Sequence, residues 1–435
     1  MSPLATYRRL MSFTGYAYVV VAFLGRMPLA MSQLGTLLLV AGSTGSYAAG
    51  GTTAGALAVA NAVSAPIAGA LADRFGQRPV VLVQSIGGAA GLVTVVALAG
   101  AGVGWHGQAV AAAVTGLLLP QVGPLARVRW RPITEQGDRV DHTRLVDAAF
   151  SYEGSADEAS FVLGPALVGL AVSIANPSAG LIFAAVLLAV FGSWFALHPT
   201  AGLTHRTASA ARRPTTALNQ ASSEGAPRGV GATAGVVTAS LVILSCAQLS
   251  IGMVFGSVQT ATSVLATAAG EPGLTGVLHA LLGVGGVVTG LAVAVLPPAF
   301  THERRLQVFA VSLLLLSMPL LLVDSLWTLA FALTGLGVAV APYMITVFTL
   351  AERITPRQRT GAAMSILAGT TGIGYATGST IAGRLADWNG HTPAFAVTVA
   401  AGFIATVLTT LSLRRLRAEQ LRFGASGVEP VAAHG

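Results

Sequence analysis

Residues 69–78 read Gly-Ala-Leu-Ala-Asp-Arg-Phe-Gly-Gln-Arg and form a short charged stretch between two long apolar runs. Gly69 allows a neighbouring helix to approach closely, and Gly76 allows a tight turn. Asp73 can accept hydrogen bonds from a nearby helix N-terminus, and the arginines can anchor at lipid headgroups. The stretch therefore predicts a charged turn that joins two membrane-spanning helices.

The composition of the chain excludes a soluble protein. Of the 435 residues, 54% are hydrophobic and only 9% are charged, whereas a soluble domain carries about 25% charged residues. With a mean hydropathy of +0.73, most of the outer surface is suited to the lipid bilayer. The net charge of +8 is then explained by basic cytoplasmic loops, and no nucleic-acid partner is expected.

The apolar runs predict an all-α integral membrane protein with 12 transmembrane helices, because about 20 apolar residues span the hydrocarbon core. Six runs precede a break that is rich in Ser, Thr, Ala and Pro, and six follow it. Such a composition is typical of a flexible linker. The predicted division is an N-terminal six-helix bundle at 1–197, a cytoplasmic linker at 198–231, a C-terminal six-helix bundle at 232–415 and a cytoplasmic tail at 416–435.

The arginines predict the orientation, because basic residues are enriched in cytoplasmic loops. With the N-terminus inside, 22 of the 24 arginines lie in inward segments, and the stretch from Arg127 to Arg144 is counted among them. The exceptions are Arg384, near an outward loop, and Arg26, within the first span. An even number of spans places both termini in the cytoplasm, which gives an N-in, C-in topology.

Two short segments suggest an internal repeat. Residues 64–76 and 378–390 agree at seven of thirteen positions and lie at the ends of the second and eleventh predicted spans. These ends face opposite sides of the membrane, as related elements of inverted repeats would. The alternative is chance similarity in a chain that is rich in Gly and Ala.

The motif at 69–78 resembles the signature Gly-x-Leu-Ala-Asp-Arg-x-Gly-Arg-Lys, which follows the second span in the major facilitator superfamily. The resemblance implies two six-helix bundles and a conformational latch that holds them together on one side and releases them on the other. Gln77 replaces a residue that is commonly basic, which thins the charge of the latch. An ordinary charged turn is the alternative. The latch residues would be Gly69, Asp73, Arg74, Gly76 and Arg78.

The fifth span, taken as 150–174, contains the sequence Gly164-Pro165-Ala-Leu-Val-Gly169. This sequence resembles part of the fifth-span signature of the antiporter branches and implies the 12-span drug/proton antiporter branch. Pro165 would kink the helix, and the glycines would allow a neighbour to pack tightly. These properties suit a helix between two rocking halves. The alternative is that Gly-Pro is common in membrane helices generally.

Ionisable residues within spans predict functional sites, because an uncompensated charge there costs several kcal/mol. Arg26 requires a counter-charge, and Glu158 or Asp157 of the fifth span would supply it. Such a pair could couple proton movement to transport. Ser155 and Glu158 also form a capping-box pattern, so a helix-capping role for Glu158 is the alternative. Two further ionisable residues within spans are Glu153 and His279.

Polar residues on the first and seventh spans predict a substrate cavity. Arg26 and Gln33 are seven residues apart and share a helix face. Ser245, Gln248 and Gln259 follow one stripe of the seventh span, which either lines a cavity or joins helices. The resemblance implies that spans 1, 4, 7 and 10 line the cavity. The predicted cavity residues are Arg26, Gln33, Gln248, Gln259 and Tyr343.

The resemblance implies secondary active transport. All 24 basic residues are Arg, which indicates a GC-rich bacterial genome, so the expected location is the cytoplasmic (inner) membrane of a bacterium. The expected activity is proton-coupled efflux of an amphipathic small molecule by alternating access, carried out by a monomer. The fourth span, taken as 107–126, lacks the arginine of the family pattern, and spans 1 and 4 lack an acidic residue. Arg26 would replace that arginine or meet an anionic substrate directly. The alternatives are a solute importer of the same superfamily, either symporter or uniporter, and a non-transporting membrane sensor.

No enzymatic activity is predicted, and the only energy source expected is the proton gradient, with no cofactor or metal. The eight histidines are scattered, and no pair has metal-ligand spacing within a helix. The chain contains no Lys, which excludes a phosphate-binding loop of the Gly-x-x-x-x-Gly-Lys type. The single cysteine, Cys246, cannot form an intramolecular disulfide.

Overall fold

The computed structural model describes residues 3–134, 139–203, 238–293, 300–355 and 360–426. Within them the prediction of an all-α protein is confirmed. The first half contains α1 Pro3–Thr44, α2 Tyr47–Phe75, α3 Gln77–Gly100, α4 Trp105–Leu117, α5 Val122–Thr134, α6 Arg139–Ile174, α7 Pro177–Leu187, a π-helical turn at Leu188–Gly192 and α8 Ser193–Leu197. The second half contains α9 Ala239–Ala268, α10 Leu274–Val293, α11 His302–Ser317, a 3-10 turn at Met318–Leu322, α12 Leu326–Ile354, α13 Thr360–Asn389 and α14 His391–Ser426.

Ten segments of the described residues are long and apolar enough to cross a membrane. They are Arg8–Thr44, Tyr47–Phe75, Gln77–Gly100, Trp105–Thr134, Ala148–Ile174, Pro177–Leu197, Ala239–Ala268, His302–Leu322, Leu326–Ile354 and His391–Ala418. In addition, α10 contains a shorter apolar helix, Leu274–Gly286. A multi-pass membrane protein is therefore supported, while twelve crossings and the N-in, C-in topology stay predictions.

The fourth span extends further than the sequence indicated. A break at residues 118–121, which includes Pro120, separates α4 from α5, and α5 then continues to Thr134. Arg127 and Arg129 consequently lie within a helix, so the expectation that this span lacks an arginine is wrong, while their position on the inward side stays a prediction. In the sequence, the apolar run ends at the first arginine. In the fold, the helix continues because the guanidinium groups of Arg127 and Arg129 bind partners within the first half.

The last helix also differs from the predicted division. α14 continues to Ser426, ten residues beyond the predicted start of the tail at 416. Leu416 is buried, and the Arg417 Nε atom lies 3.9 Å from Glu303 Oε1 at the beginning of α11. Packing on α11 thus accompanies the longer helix. Residues 204–237, which form most of the predicted linker, lie outside the described residues.

The helices alternate in direction and define two ends of the molecule. The Gly45 end carries the turns at Gly45, 101–104, 175–176, 269–273, 323–325 and Gly390. The Gly76 end carries the turn at Gly76, the end of α8 and the beginnings of α9 and α13. In the predicted orientation the Gly45 end faces outward and the Gly76 end faces the cytoplasm.

The two halves of the chain touch through glycines on two helix pairs. In the first pair, a Cβ atom built at Gly55 of α2 would lie 2.7 Å from Ala376 Cα of α13. In the second, a Cβ atom at Gly169 of α6 would lie 3.1 Å from Gly276 Cα of α10. Both distances are shorter than ordinary van der Waals contacts, so only glycine permits these approaches.

These contacts all lie between the Gly45 end and the middle of the helices. Nearer the Gly76 end, a Cβ atom built at Gly69 of α2 or at Gly369 of α13 would meet no other atom within 4 Å. The same two helices that touch at Gly55 and Ala376 therefore have open space beside these glycines. We conclude that, among the residues that the structure describes, the halves are closed against each other at the Gly45 end and that α2 and α13 part toward the Gly76 end.

Substitution of Gly169 by Ala should weaken closure of the Gly45 end, because an added methyl group would collide with α10. Overpacking of this kind costs about 1–3 kcal/mol. Spin labels at Ala175 and Glu271, which are exposed on opposite halves at this end, should report a longer distance in Gly169→Ala. Gly154→Ala on the same helix adds a methyl group in open space and should leave the distance unchanged. Equal distances in both variants would contradict the assignment.

The predicted orientation can be tested at two exposed residues, Glu271 at the Gly45 end and Arg304 at the Gly76 end. In a Cys246→Ser background, a cysteine at 271 should react with an impermeant maleimide added to intact cells. A cysteine at 304 should react only after the membrane is opened. The reverse pattern would show that the topology is inverted.

Candidate functional site

A carboxylate of the second half caps the first turn of α2. Asp387, near the end of α13, accepts hydrogen bonds from Ser46 Oγ at 2.5 Å, Tyr47 N at 2.7 Å and Ala48 N at 3.1 Å. Backbone N–H groups in the first turn of a helix have no partner within the helix, and the helix dipole favours an anion there. This contact, the Asp387 clasp, joins the two halves at the Gly45 end.

Asp387 lies in one of the two similar segments of the sequence, but the sequence analysis gave it no role. Asp387 occupies the same position in the segment 378–390 as Asp73 occupies in 64–76. The structure places the two carboxylates at opposite ends of the molecule. Comparing the segments could have identified Asp387 as a latch candidate, but the helix that it caps is distant in sequence.

The predicted latch residues lie around the turn between α2 and α3. Gly76 has a φ of 90°, which a residue with a Cβ atom rarely adopts, so glycine is required at this turn. Asp73 is exposed, and Gly69 has open space beside it. The Arg74 guanidinium lies 5.2 Å from the Phe75 ring centroid, and Arg78 donates to the Leu197 carbonyl at 3.4 Å. The role of these residues as a latch stays a prediction.

Gln77, the departure from the family motif, has a specific partner. Arg129 Nε donates to Gln77 Oε1 at 2.8 Å, and the same guanidinium donates to the Phe195 carbonyl and to Thr200 Oγ1. Its carbon Cζ lies 3.6 Å from the Phe195 ring centroid. Burial and the Arg129 cation lower the pKa of His198, just beyond α8. A basic residue at position 77 would repel Arg129, which explains the glutamine.

Four charged residues form a network between α1, α5 and α6. Arg26 of α1 binds Glu153 Oε2 at 2.5 Å and Asp157 Oδ1 at 2.9 Å. Arg127 of α5 binds Asp157 Oδ2 at 2.5 Å. Trp130 Nε1 donates to Glu153 Oε1 at 2.7 Å. We call Arg26, Arg127, Glu153 and Asp157 the charge network; with all four ionised it is electrically neutral.

Small residues bring the acids of α6 against their partners. A Cβ atom built at Gly164 would lie 2.7 Å from the Ala30 Cβ atom, so this glycine sets α6 close to α1. A Cβ atom at Gly123 of α5 would overlap the Asp157 carboxylate. Gly123 therefore provides the space in which Asp157 meets both arginines.

Access to the charge network is uneven. The Arg26 and Glu153 side chains are 3% and 0% exposed, whereas those of Asp157 and Arg127 are 25% and 38% exposed. Arg26 lies 18 residues before the end of α1 at Thr44, which is about 27 Å from the Gly45 end. The network thus combines the buried pair Arg26–Glu153 with the accessible pair Arg127–Asp157. It lies at membrane depth, nearer the Gly76 end.

The structure brings one of the two acids proposed for Arg26 to this arginine and adds a third acid. It pairs Arg26 with Asp157 and with Glu153, which the sequence had only placed among the ionisable residues of the span. The Glu158 side chain lies outside the described residues. Because α6 begins at Arg139, Ser155 lies well inside the helix, and the capping alternative for Glu158 is wrong. Arg127 was missed because its sequence position suggested a loop.

The predicted cavity residues mostly join helices in this conformation. Tyr343 OH donates to the Ala247 carbonyl at 3.0 Å, and Tyr375 OH donates to Gln259 Oε1. Gln248 is buried, and its Oε1 atom has no hydrogen-bond partner among the described residues. Gln33 is partly buried. These contacts favour helix joining over cavity lining for Tyr343 and Gln259.

Removal of the Asp387 carboxylate should open the Gly45 end. Ser379, buried between α13 and α2, donates to the Gly51 carbonyl, so a cysteine at 379 should react only when the helices part. In a Cys246→Ser, Ser379→Cys background, Asp387→Ala should label about tenfold faster or more, because hydrogen bonds to a charged group contribute about 1.5–3 kcal/mol. Asp324→Ala, at the same end but within the second half, is the control. No difference between the two variants would argue against the clasp.

Comparisons with known proteins agree with this architecture. Residues 244–433 match the family model of the Major Facilitator Superfamily. No curated protein matches the chain in sequence. The solved nucleoside transporter NupG is similar at 15% identity with a TM-score of 0.69, covering 92% of this chain and 98% of that chain.

Two further solved structures have the same fold. A POT family transporter in complex with a thioalcohol-conjugated peptide has 14% identity and a TM-score of 0.65, with 95% and 96% of the two chains covered. A D-xylose-proton symporter has 13% identity and a TM-score of 0.60, with 90% and 97% covered. The second half of this chain thus matches the superfamily in sequence, and the whole chain shares the fold of these transporters.

Proposed function

We propose that this protein is a secondary active transporter of the major facilitator superfamily that moves a small molecule across a bacterial cytoplasmic membrane by alternating access. The observation that carries the proposal is the charge network, which joins the buried Arg26 and Glu153 to the accessible Asp157 and Arg127 at membrane depth. Charges at this depth are costly to desolvate, by several kcal/mol for each buried group, so they indicate a functional role rather than a contribution to stability alone.

Proton coupling is the role proposed for the two acids. A proton on Glu153 or Asp157 removes a negative charge that neutralises Arg26. The contact between α6 and Arg26 is therefore weaker when one of these acids is protonated. If α1, α5 and α6 separate differently in the two access states, the proton affinity of the acids differs between those states. Such a difference is a coupling free energy between proton binding and the conformational change.

The direction that we propose is efflux of an amphipathic molecule with protons moving inward. It rests on the resemblance of Gly164, Pro165 and Gly169 to the antiporter signature. Pro165 and Gly169 also lie where α6 touches the second half, at Gly276 and Gly273. The second candidate is uptake with protons, which the similarity in fold to a D-xylose-proton symporter favours. The same charge network would serve either direction.

Transport in proteoliposomes tests the proposal and its direction. A panel containing a nucleoside, a dipeptide, D-xylose and aromatic amphiphiles should yield at least one compound that shows counterflow. An imposed pH gradient should then drive that compound against its own concentration gradient. For efflux the compound should move in the direction opposite to the protons, and for uptake in the same direction. Absence of counterflow for every class would favour the non-transporting alternative.

The role of the acids is tested by Glu153→Gln. The substituted amide keeps the size of the side chain, and its oxygen can still accept the Arg26 hydrogen bond, but its NH2 group would face the Trp130 N–H donor. Asp157 still neutralises Arg26, and a thermal unfolding measurement on the purified variant checks that the fold persists. Uphill transport should be lost while downhill exchange continues, because the site can no longer carry a proton. Glu271→Gln, an exposed acid at the Gly45 end, should retain both activities. Normal proton-driven transport by Glu153→Gln would exclude Glu153, and Asp157→Asn would then be tested in the same way.

A further inference from the structure

We propose that the gap at the Gly76 end binds amphipathic organic anions, with the anionic head on Arg127 and the apolar body in a pocket between α9 and α13. This inference rests on the transport function proposed above and specifies the chemical class of its substrate. It combines two features that lie on opposite halves at similar depth.

The first feature is an accessible cation with unused hydrogen-bond donors. A guanidinium group has five N–H donors, and the one described hydrogen bond of Arg127 uses Nη2. The side chain is 38% exposed. Exposure of a charged group to lipid at this depth would be costly, so the free edge of Arg127 must face water in the gap.

The acids of the charge network cannot serve a cation in the same way. Both Glu153 carboxylate oxygens are occupied, one by Arg26 and one by Trp130, and the side chain is fully buried. Both Asp157 oxygens already accept from an arginine, which offsets the charge of this carboxylate. The most exposed group of the network is the Arg127 guanidinium, and its unused N–H donors select an acceptor of negative charge such as a carboxylate or sulfonate.

The second feature is an apolar pocket of about 220 Å³ between α9 and α13. Its walls include Leu241, Val242 and Leu249 of α9 and Ile366 of α13, and the single cysteine, Cys246, also lines it. Drug-sized ligands occupy pockets of about 300–1,000 Å³, so this pocket holds only the apolar part of such a molecule. The polar part must lie outside it, in the gap.

The pocket opens to the gap between the halves and not to lipid. α9 is an interior helix, since every residue from Gly256 to Ala266 is buried. Nearer the Gly76 end the same helix exposes Val242 and Cys246, where the halves have separated. Leu249 lies 19 residues before the end of α9 at Ala268, and Arg26 lies 18 residues before the end of α1. The inner end of the pocket is thus at the level of the charge network, and its other lining residues on α9 lie nearer the Gly76 end.

The chain carries its own reporter for this site, because Cys246 is exposed and is the only cysteine. The experiment measures the rate at which a maleimide modifies Cys246 in the full-length protein in lipid nanodiscs. Three probes share one apolar body and differ in charge: 2-naphthoate, naphthalene-2-carboxamide and 2-naphthylmethylamine. We expect 2-naphthoate to slow the modification at the lowest concentration, with weaker protection by the amide and the least by the amine.

Variants identify the cation. Arg127→Gln should raise the half-protecting concentration of 2-naphthoate about tenfold or more and leave that of the amide unchanged, because one charge-assisted interaction is lost. Arg127→Lys should give an intermediate value. Arg304→Gln, which removes an equal charge from an exposed site on the second half, should match the unmodified protein.

Two results would overturn the proposal. One is that, in the unmodified protein, the amine or the amide protects Cys246 as well as 2-naphthoate does. This comparison does not depend on whether a variant folds. The other is unchanged protection in a folded Arg127→Gln protein. Because the assay reads binding without transport, its outcome is separate from that of the counterflow experiment. Charge-selective protection without counterflow would support the anion site and contradict the transport function.

Discussion

A positive charge at membrane depth must have a negative partner, and much of the first half is organised around this constraint. Arg26 sits on α1 among buried apolar residues and is itself almost fully buried. Its counter-charges come from α6, and α6 can approach only because Gly164 faces Ala30. Arg127 joins from α5, where Gly123 leaves room for the shared Asp157 carboxylate. One electrostatic requirement thus determines how three helices pack.

A different kind of contact governs how the halves meet. At the Gly45 end the interface consists of glycines against backbone, as at Gly55 and Gly169, together with the Asp387 clasp. Close packing and helix-end hydrogen bonds are short-range interactions, and both are lost over a separation of one or two ångströms. Such an interface is either closed or open, with little in between. This property suits a protein that must alternate between two arrangements.

The two halves contribute different chemistry beside the gap. The first half supplies the charge network, whereas the second half supplies an apolar pocket on α9 and α13. The proposed anion would contact both surfaces, so its binding would depend on how far apart the halves lie.

The sequence alone predicted the membrane class, the helical architecture and the need of Arg26 for an acid on the fifth span. These features depend on local properties: run length, hydropathy and the cost of an isolated charge. The turn at Gly76 belongs with them, because a single glycine and its flanking charges indicate it.

The tertiary structure decided which groups meet. Glu153 was identified as a partner of Arg26 only once the rotation of α6 against α1 was known. Arg127 and Arg129 looked like loop residues because charge usually ends an apolar run, yet partners on other helices keep α5 continuous. The partner of Asp387 lies on a helix more than 300 residues away in sequence. Neutralisation, capping and close packing are non-local interactions, so the sequence determines that they must occur, and the fold determines where.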